Sequence, residues 1–306
     1  PLMRAALLAL VVALLALPAV TGSYAQFLMI EIFCLALFAQ SLHFIMGPGG
    51  MISFGHAAYF GLGAYGAGLA LKYLPVSMEG ALILAPLAAG LGALLFGWFC
   101  VRLSGVYLAM LSLAFAEIVH AIVFQWYEVT GGDNGLVGIW PSAWASSTLI
   151  YYYLALALNL TALALLRRFV FAPFGTTLRA CRDAPLRADA IGIDIRTHQW
   201  LAFAIAGTFA GLAGGILAFH KGTIDPTWLA IPRSIEALVM VLLGGVQTLF
   251  GPVVGAASYH GLEIWFSTVT RHWPLILGLI IIGLVLAFPH GVVGFAERRL
   301  ERARTA

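Results

Sequence analysis

Hydrophobic positions in this chain come in long unbroken runs, neither alternating nor confined to one-sided stripes, and short polar connectors separate them. A run of ~20 apolar residues is what a helix needs to cross a hydrocarbon core ~30 Å thick. The runs are Ala5 to Val20, Tyr24 to Met46, Ser53 to Leu71, Glu79 to Val101, Gly105 to Trp126, Ala143 to Leu166, Gln199 to Phe219, Ile235 to Leu249, Gly251 to Thr270 and Trp273 to Pro289. The expected fold class is therefore all-α, a polytopic helical membrane protein of about ten spans, forming a single transmembrane domain over residues 1–306. The first run is short and stands behind Arg4, so a cleavable signal peptide is the alternative to the retained span preferred here.

Two interruptions stand out. Gly47, Pro48, Gly49 and Gly50 break the hydrophobic pattern and predict a sharp turn, so the next span begins as a broken, glycine-rich segment. The stretch from Phe174 to Asp194 is a polar island, with Arg179, Arg182 and Arg187 set against Asp183, Asp189 and Asp194. A charge at the bilayer centre costs at least ~2.5 kcal/mol, so the island must lie in water. Pro185 suits a helix start, Gly192 a helix stop, and Asp183 stands just upstream, where its charge favours the helix N-terminus. These signs predict a short helix outside the membrane; a plain solvated linker would carry the same residues.

Small residues mark the packing faces. Gly207, Gly211 and Gly215 recur at intervals of four, and Ser53, Ala57, Gly61, Ala64 and Gly68 at intervals of three and four. Such stripes let helix backbones approach closely in lipid. GGMIS at Gly49 to Ser53 and GGVQT at Gly244 to Thr248 each precede a glycine-bearing span, a hint of an internal repeat.

Composition excludes several classes of function. With 62% apolar and 9% charged residues, a chain of 306 residues has too little polar surface for a soluble globule. The net charge of +3 does not mark a nucleic-acid binder, because the arginines sit between spans and read as topology signals. With ten spans, twelve arginines, among them those of the island and of the tail from Glu297 to Arg304, fall on the side of the termini. Four basic residues, Lys72, Lys221, Arg233 and Arg271, fall on the other. The positive-inside rule then puts both termini and the island in the cytosol. Cys34, Cys100 and Cys181 have no paired spacing, so neither a disulfide nor a metal site is implied. No Walker-type loop, dinucleotide fingerprint or zinc-ligand cluster occurs, so no cofactor is expected and any ATP chemistry must come from a partner.

Polar residues inside the runs are candidates for a route through the membrane. Ser53, His56 and Tyr59 lie on the segment that starts with the break, and broken segments often border substrate paths. Glu117 and His120 stand one turn apart on one helix face, and that face should point into protein or a watery cavity. Packing alone, or a Glu117 to His120 hydrogen bond that locks helices together, accounts for the same residues. Glu31, Glu117, Glu236 and Glu263 are scattered over different spans without a nucleophile motif, which argues against an intramembrane enzyme.

The island FGTTLRACRDAPLRADAIGID, the segment GPGGMISFGHAAYFGLGAY at Gly47 to Tyr65 and TGGDNGL at Thr130 to Leu136 resemble, in this order, segments of permease subunits of branched-chain amino-acid ABC importers, the LivM-like family. The resemblance implies a permease of the bacterial inner membrane that hydrolyses nothing itself. Its partners would be a sister permease, two ATPase subunits and a periplasmic binding protein. The island would be the coupling segment, residues 174–194, with Pro185, Leu186 and Ile191 as its apolar contact with an ATPase. Arg179, Arg182 and Asp183 would form its polar rim, and Arg187 and Gly192 complete it. Urea or amide importers use similar permeases, and a proton-coupled carrier is the rival from another class, since buried acids can form relays. A carrier has no use for a protruding mixed-charge helix.

Overall fold

The computed structural model describes residues 2–287 together with 291, 293 and 294. The end of the last expected span at Pro289 and the arginine-rich stretch from Glu297 to Arg304 lie outside the described residues. The apolar runs fold as α1 (Leu2–Val20), α2 (Ser23–Met46), α3 (His56–Tyr73), α4 (Met78–Cys100) and α5 (Val106–Gln125). A single turn, α6 (Tyr127–Thr130), precedes α7 (Thr148–Phe171). The polar island forms α8 (Pro173–Asp183) and α9 (Pro185–Ala190), and α10 (Ile195–Lys221), α11 (Ile231–Gly244), α12 (Gly251–Val269) and α13 (Trp273–Ala287) follow. Five of these helices, α2, α4, α5, α7 and α10, are long and apolar enough to cross a membrane. The chain is all-α and polytopic.

Burial separates the centre from the rim. The most apolar windows of α2 and α10 are 78% and 72% buried, against 33% for α4 and α5 and 39% for α7, so α2 and α10 form the core. The outer helices turn apolar side chains such as Leu91 and Ile118 outward, as lipid contact requires.

The tightest packing is the α4–α10 seam. Gly207, Gly211 and Gly215 meet Ala93, Ala89 and Ala85 in that order, so the two helices run antiparallel with small residues interleaved. A Cβ on Gly215 would stand 2.6 Å from that of Ala85, and at Gly207 and Gly211 the overlap would be worse. Gly63 of α3 lies against the backbone of Gly211 on another face. The small-residue stripe expected on α3 works differently. Gly61 makes room for the Leu229 side chain and Gly68 for those of Ile224, Ile139 and Leu136, so these positions admit branched side chains from connectors.

Four boundaries move from their expected places, each for a local reason. Ser53 is outside α3, in a chain running without helix from Met51 to Gly55, where the Phe54 amide donates to Ser112 Oγ at 3.1 Å. The island holds two helices, because Pro173 starts one at the end of α7 just as Pro185 starts the second. Pro232 in its first turn lets α11 begin at Ile231, so Arg233, expected in a connector, is helical. The connector holding TGGDNGL ends in a two-residue strand, β1 (Leu136–Val137), paired antiparallel with β2 (Thr223–Ile224) after α10. Gly135, at φ +66°, permits this, since a Cβ there would overlap the Ile224 carbonyl oxygen.

The two breaks anticipated as related, after α2 and after α11, touch. His43 Nε2 lies 2.8 Å from the Val246 carbonyl oxygen, so a ring N–H donates across the gap. With 14 residues, α11 rises about 21 Å, short of a full hydrocarbon core. It is joined to α12 by the tight approach of Gly255 to the Met240 carbonyl.

Candidate functional site

The polar segment is fastened to the body by its first two arginines. Arg182 Nη1 donates to the Gly47 carbonyl at the end of α2, while its Nε donates to Asp183 Oδ1 at 2.7 Å. The aliphatic stem of Arg182 lies over Gly50, whose φ of +66° and lack of a side chain make the space. Arg179 Nη2 donates to the Val170 carbonyl at 2.9 Å, tying α8 back to α7. The Arg182 hydrogen bond holds the Asp183 carboxyl below the usual range. Thr197, through its hydroxyl at 2.5 Å and its amide at 3.2 Å, does the same for Asp194, the N-cap of α10.

What α9 turns outward is apolar. Pro185 opens the helix, Gly192 at φ +84° ends its last turn, and between them Leu186 is 87% exposed and Ile191 is 76% exposed. Arg187 is exposed beside them. A short helix that leaves two large aliphatic side chains uncovered among charged ones presents a surface suited to a partner.

The residues of the broken segment are interior. His56 is fully buried, stacked on Phe38 at 5.5 Å between ring centroids, with Tyr59 edge-on to it at 5.8 Å. Ser41 donates its own proton to the Phe38 carbonyl at 2.7 Å, so the 2.8 Å contact from His56 Nε2 to Ser41 Oγ needs the proton on Nε2. Among the described residues, His56 Nδ1 and Ser53 Oγ are buried without a hydrogen-bond partner. Glu117 and His120 lie on the outer side of α5, with side chains 47% and 26% exposed and Glu117 Oε2 at 3.9 Å from His120 Nδ1. The structure thus brings Ser53, His56 and Tyr59 to one buried region and leaves Glu117 and His120 apart from it, on the surface.

A charged cavity of about 460 Å³ lies elsewhere, at the end of α10 remote from the polar segment. Its walls come from α2, α10, α11, α12 and the loop before α11. Glu31 accepts from Lys221 Nζ at 2.6 Å, and its second oxygen stands 3.1 Å from His260 Nε2. His260 Nδ1 lies 3.0 Å from Glu263 Oε2, and Arg233 Nη1 donates to Glu236 Oε2 at 2.7 Å. Leu35, Leu217 and Trp228 supply apolar wall. Three of the acids that look scattered along the sequence are therefore gathered here. Lys221 pairs with Glu31 and Arg233 with Glu236, and both are among the four basic residues expected on the side opposite the island. A helix-end lysine and a histidine with a carboxylate at i+3 were the available signals, but neither shows which helices meet.

The family model described as "Branched-chain amino acid transport system / permease component" matches residues 24–288. The chain is 27% identical to the high-affinity branched-chain amino acid transport system permease protein LivM of Escherichia coli strain K12, over 85% of this chain and 68% of that protein. It is 25% identical to the LivH protein of the same kind of system in Salmonella typhimurium strain LT2, over 86% of this chain and 92% of the relative. It is also 35% identical to the guanosine ABC transporter permease protein NupQ of Bacillus subtilis strain 168, over 41% of this chain and 39% of that one. No solved structure matches it. The family match spans the membrane helices, the glycine break and the polar segment alike, and the chain belongs to the permease family of branched-chain amino acid transport systems.

Proposed function

We propose that this chain is the translocating subunit of an ATP-driven, binding-protein-dependent importer of branched-chain or other hydrophobic amino acids. It works in the bacterial inner membrane beside a sister permease, two ATPase subunits and a periplasmic binding protein. The observation that carries the reading is the polar segment in a permease of this family: Leu186 and Ile191 stand uncovered on and just after α9, next to α8, which Arg182 anchors to the turn after α2. An ATPase groove that covers them would pull on α2 directly. ATP is hydrolysed in that partner, and the segment of residues 174–194 is the coupling element, with Arg179, Arg182, Asp183, Pro185, Leu186, Arg187, Ile191 and Gly192 as its working residues.

In this reading the helices give ten crossings, α11 being a partial one, with both termini and the coupling segment in the cytosol as the arginine distribution requires. Ser53, His56 and Tyr59, with Glu117 and His120, border the cargo route or the contact with the sister permease. The similarity to NupQ supports a second reading within the family, a nucleoside cargo. Uptake by the reconstituted complex decides between them, with radiolabelled leucine and guanosine offered in parallel. Leucine uptake that survives ATP depletion while a proton gradient persists would instead identify a proton-coupled carrier. A variant combining Arg182→Glu with Leu186→Asp should assemble yet hydrolyse ATP without transport; normal transport by it removes the coupling role.

A further inference from the structure

The charged cavity is remote from the segment assigned above to coupling, yet it gathers six ionisable side chains, Glu31, Lys221, Arg233, Glu236, His260 and Glu263. Two features mark it as more than a structural cluster. First, its hydrogen-bonding capacity is unfilled: among the described residues Arg233 gives one side-chain hydrogen bond, from Nη1 to Glu236, and Glu236 and Glu263 each accept at one oxygen only. Charged groups drawn together out of bulk water with hydrogen bonds left unmade favour a ligand that completes them. Second, both signs of charge face the same space as the apolar side chains of Leu35, Leu217 and Trp228. A simple anion would meet three carboxylates, and a simple cation would meet Lys221 and Arg233. A small molecule carrying both charges on an apolar body meets neither objection. The volume of about 460 Å³ falls in the usual range for small-molecule sites, ~300–1,000 Å³.

We infer that this cavity is a binding site within the permease for a zwitterionic amino acid. Arg233 receives the carboxylate, Glu236 and Glu263 receive the ammonium group, and the side chain lies against Leu35, Leu217 and Trp228. Lys221 and His260 neutralise Glu31 and hold the walls in place. The site sits at the far end of α10 from the coupling segment, where cargo released by a binding protein would enter. The inference rests on the transport reading above.

The test uses the assembled complex in nanodiscs, with neither ATP nor binding protein, and reads saturable binding of tritiated leucine. Leucinamide, which lacks the carboxylate, and 4-methylpentanoate, which lacks the ammonium group, serve as competitors. Leucine should bind, and each analogue should compete at least about tenfold less well. Arg233→Gln should weaken leucine binding, measured per assembled complex, by at least about tenfold, with Arg233→Lys intermediate. A complex that imports leucine with its binding protein but binds none without it overturns the site and leaves the transport reading standing. An analogue that competes as well as unlabelled leucine also overturns it, and needs no variant. If Arg233→Gln blocks capture of the loaded binding protein while leucine binding is unchanged, the cluster is a docking surface and the inference is wrong. Uptake of guanosine in place of leucine overturns both readings, since a nucleoside lacks the pair of charges.

Discussion

Arg182 of α8 donates a hydrogen bond to the carbonyl of Gly47, the residue that ends α2, so the solvent-side segment and the most buried helix are directly joined. Gly50 makes the contact possible, because any side chain there would collide with the Arg182 stem. Gly50→Ala should therefore act like loss of Arg182. The left-handed backbone adds about 1–2 kcal/mol of strain to the displacement. Reconstituted complexes carrying Gly50→Ala or Arg182→Gln should both show a lowered ratio of leucine transported to ATP hydrolysed. An unchanged ratio for both would leave the contact a structural tie only.

The α4–α10 seam makes a prediction about assembly. Gly211→Ala forces a methyl group into the Cβ of Ala89, and overpacking of this kind costs about 1–3 kcal/mol. Gly211→Leu should leave little assembled protein. Pairing Gly211→Ala with Ala89→Gly should recover part of the loss, measured as the midpoint of thermal unfolding in detergent. Altered cargo choice at full assembly would contradict a purely packing role.

Lys221 and Glu31 test the charge network itself. Glu31 is the more deeply buried partner, with its side chain 11% exposed against 37% for Lys221. Removing one partner of a buried pair costs about 3–5 kcal/mol, mostly by stranding the other charge; the exposure of Lys221 puts this case near the lower end. Lys221→Met should thus be less stable than the double variant Lys221→Met with Glu31→Gln. The same order read from the yield of folded chain checks it, and a double variant worse than the single one would show that Glu31 does not depend on Lys221.

Glu117 faces outward on α5, where a lipid-exposed carboxylate would be costly, so its surroundings in the complex must be polar. Glu117→Gln should reduce uptake while complex yield and capture of ligand by the binding protein stay as they were. Normal uptake would remove Glu117 and His120 from the cargo route.

The sequence by itself determined the features that depend on neighbours along the chain. The apolar runs needed helices to satisfy their backbone in lipid, the glycines at intervals of four marked a close-packed face, and the charges from Arg179 to Asp194 had to reach water. Pro185 and Gly192 bounded a helix in the polar segment, as proline and glycine geometry dictates. Tertiary structure alone decided which faces meet. It turned Arg179 and Arg182 back onto the body and left Leu186 and Ile191 exposed. On α3 it chose Gly63 for the backbone contact, and it brought the Gly47 and Val246 breaks together. Above all it drew Glu31, Lys221, Arg233, Glu236, His260 and Glu263 from four helices in distant parts of the chain around one cavity. Hydropathy records how costly each of those charges is in the membrane, but the partner that offsets the cost is chosen by helix packing, and packing depends on surfaces that no local pattern encodes.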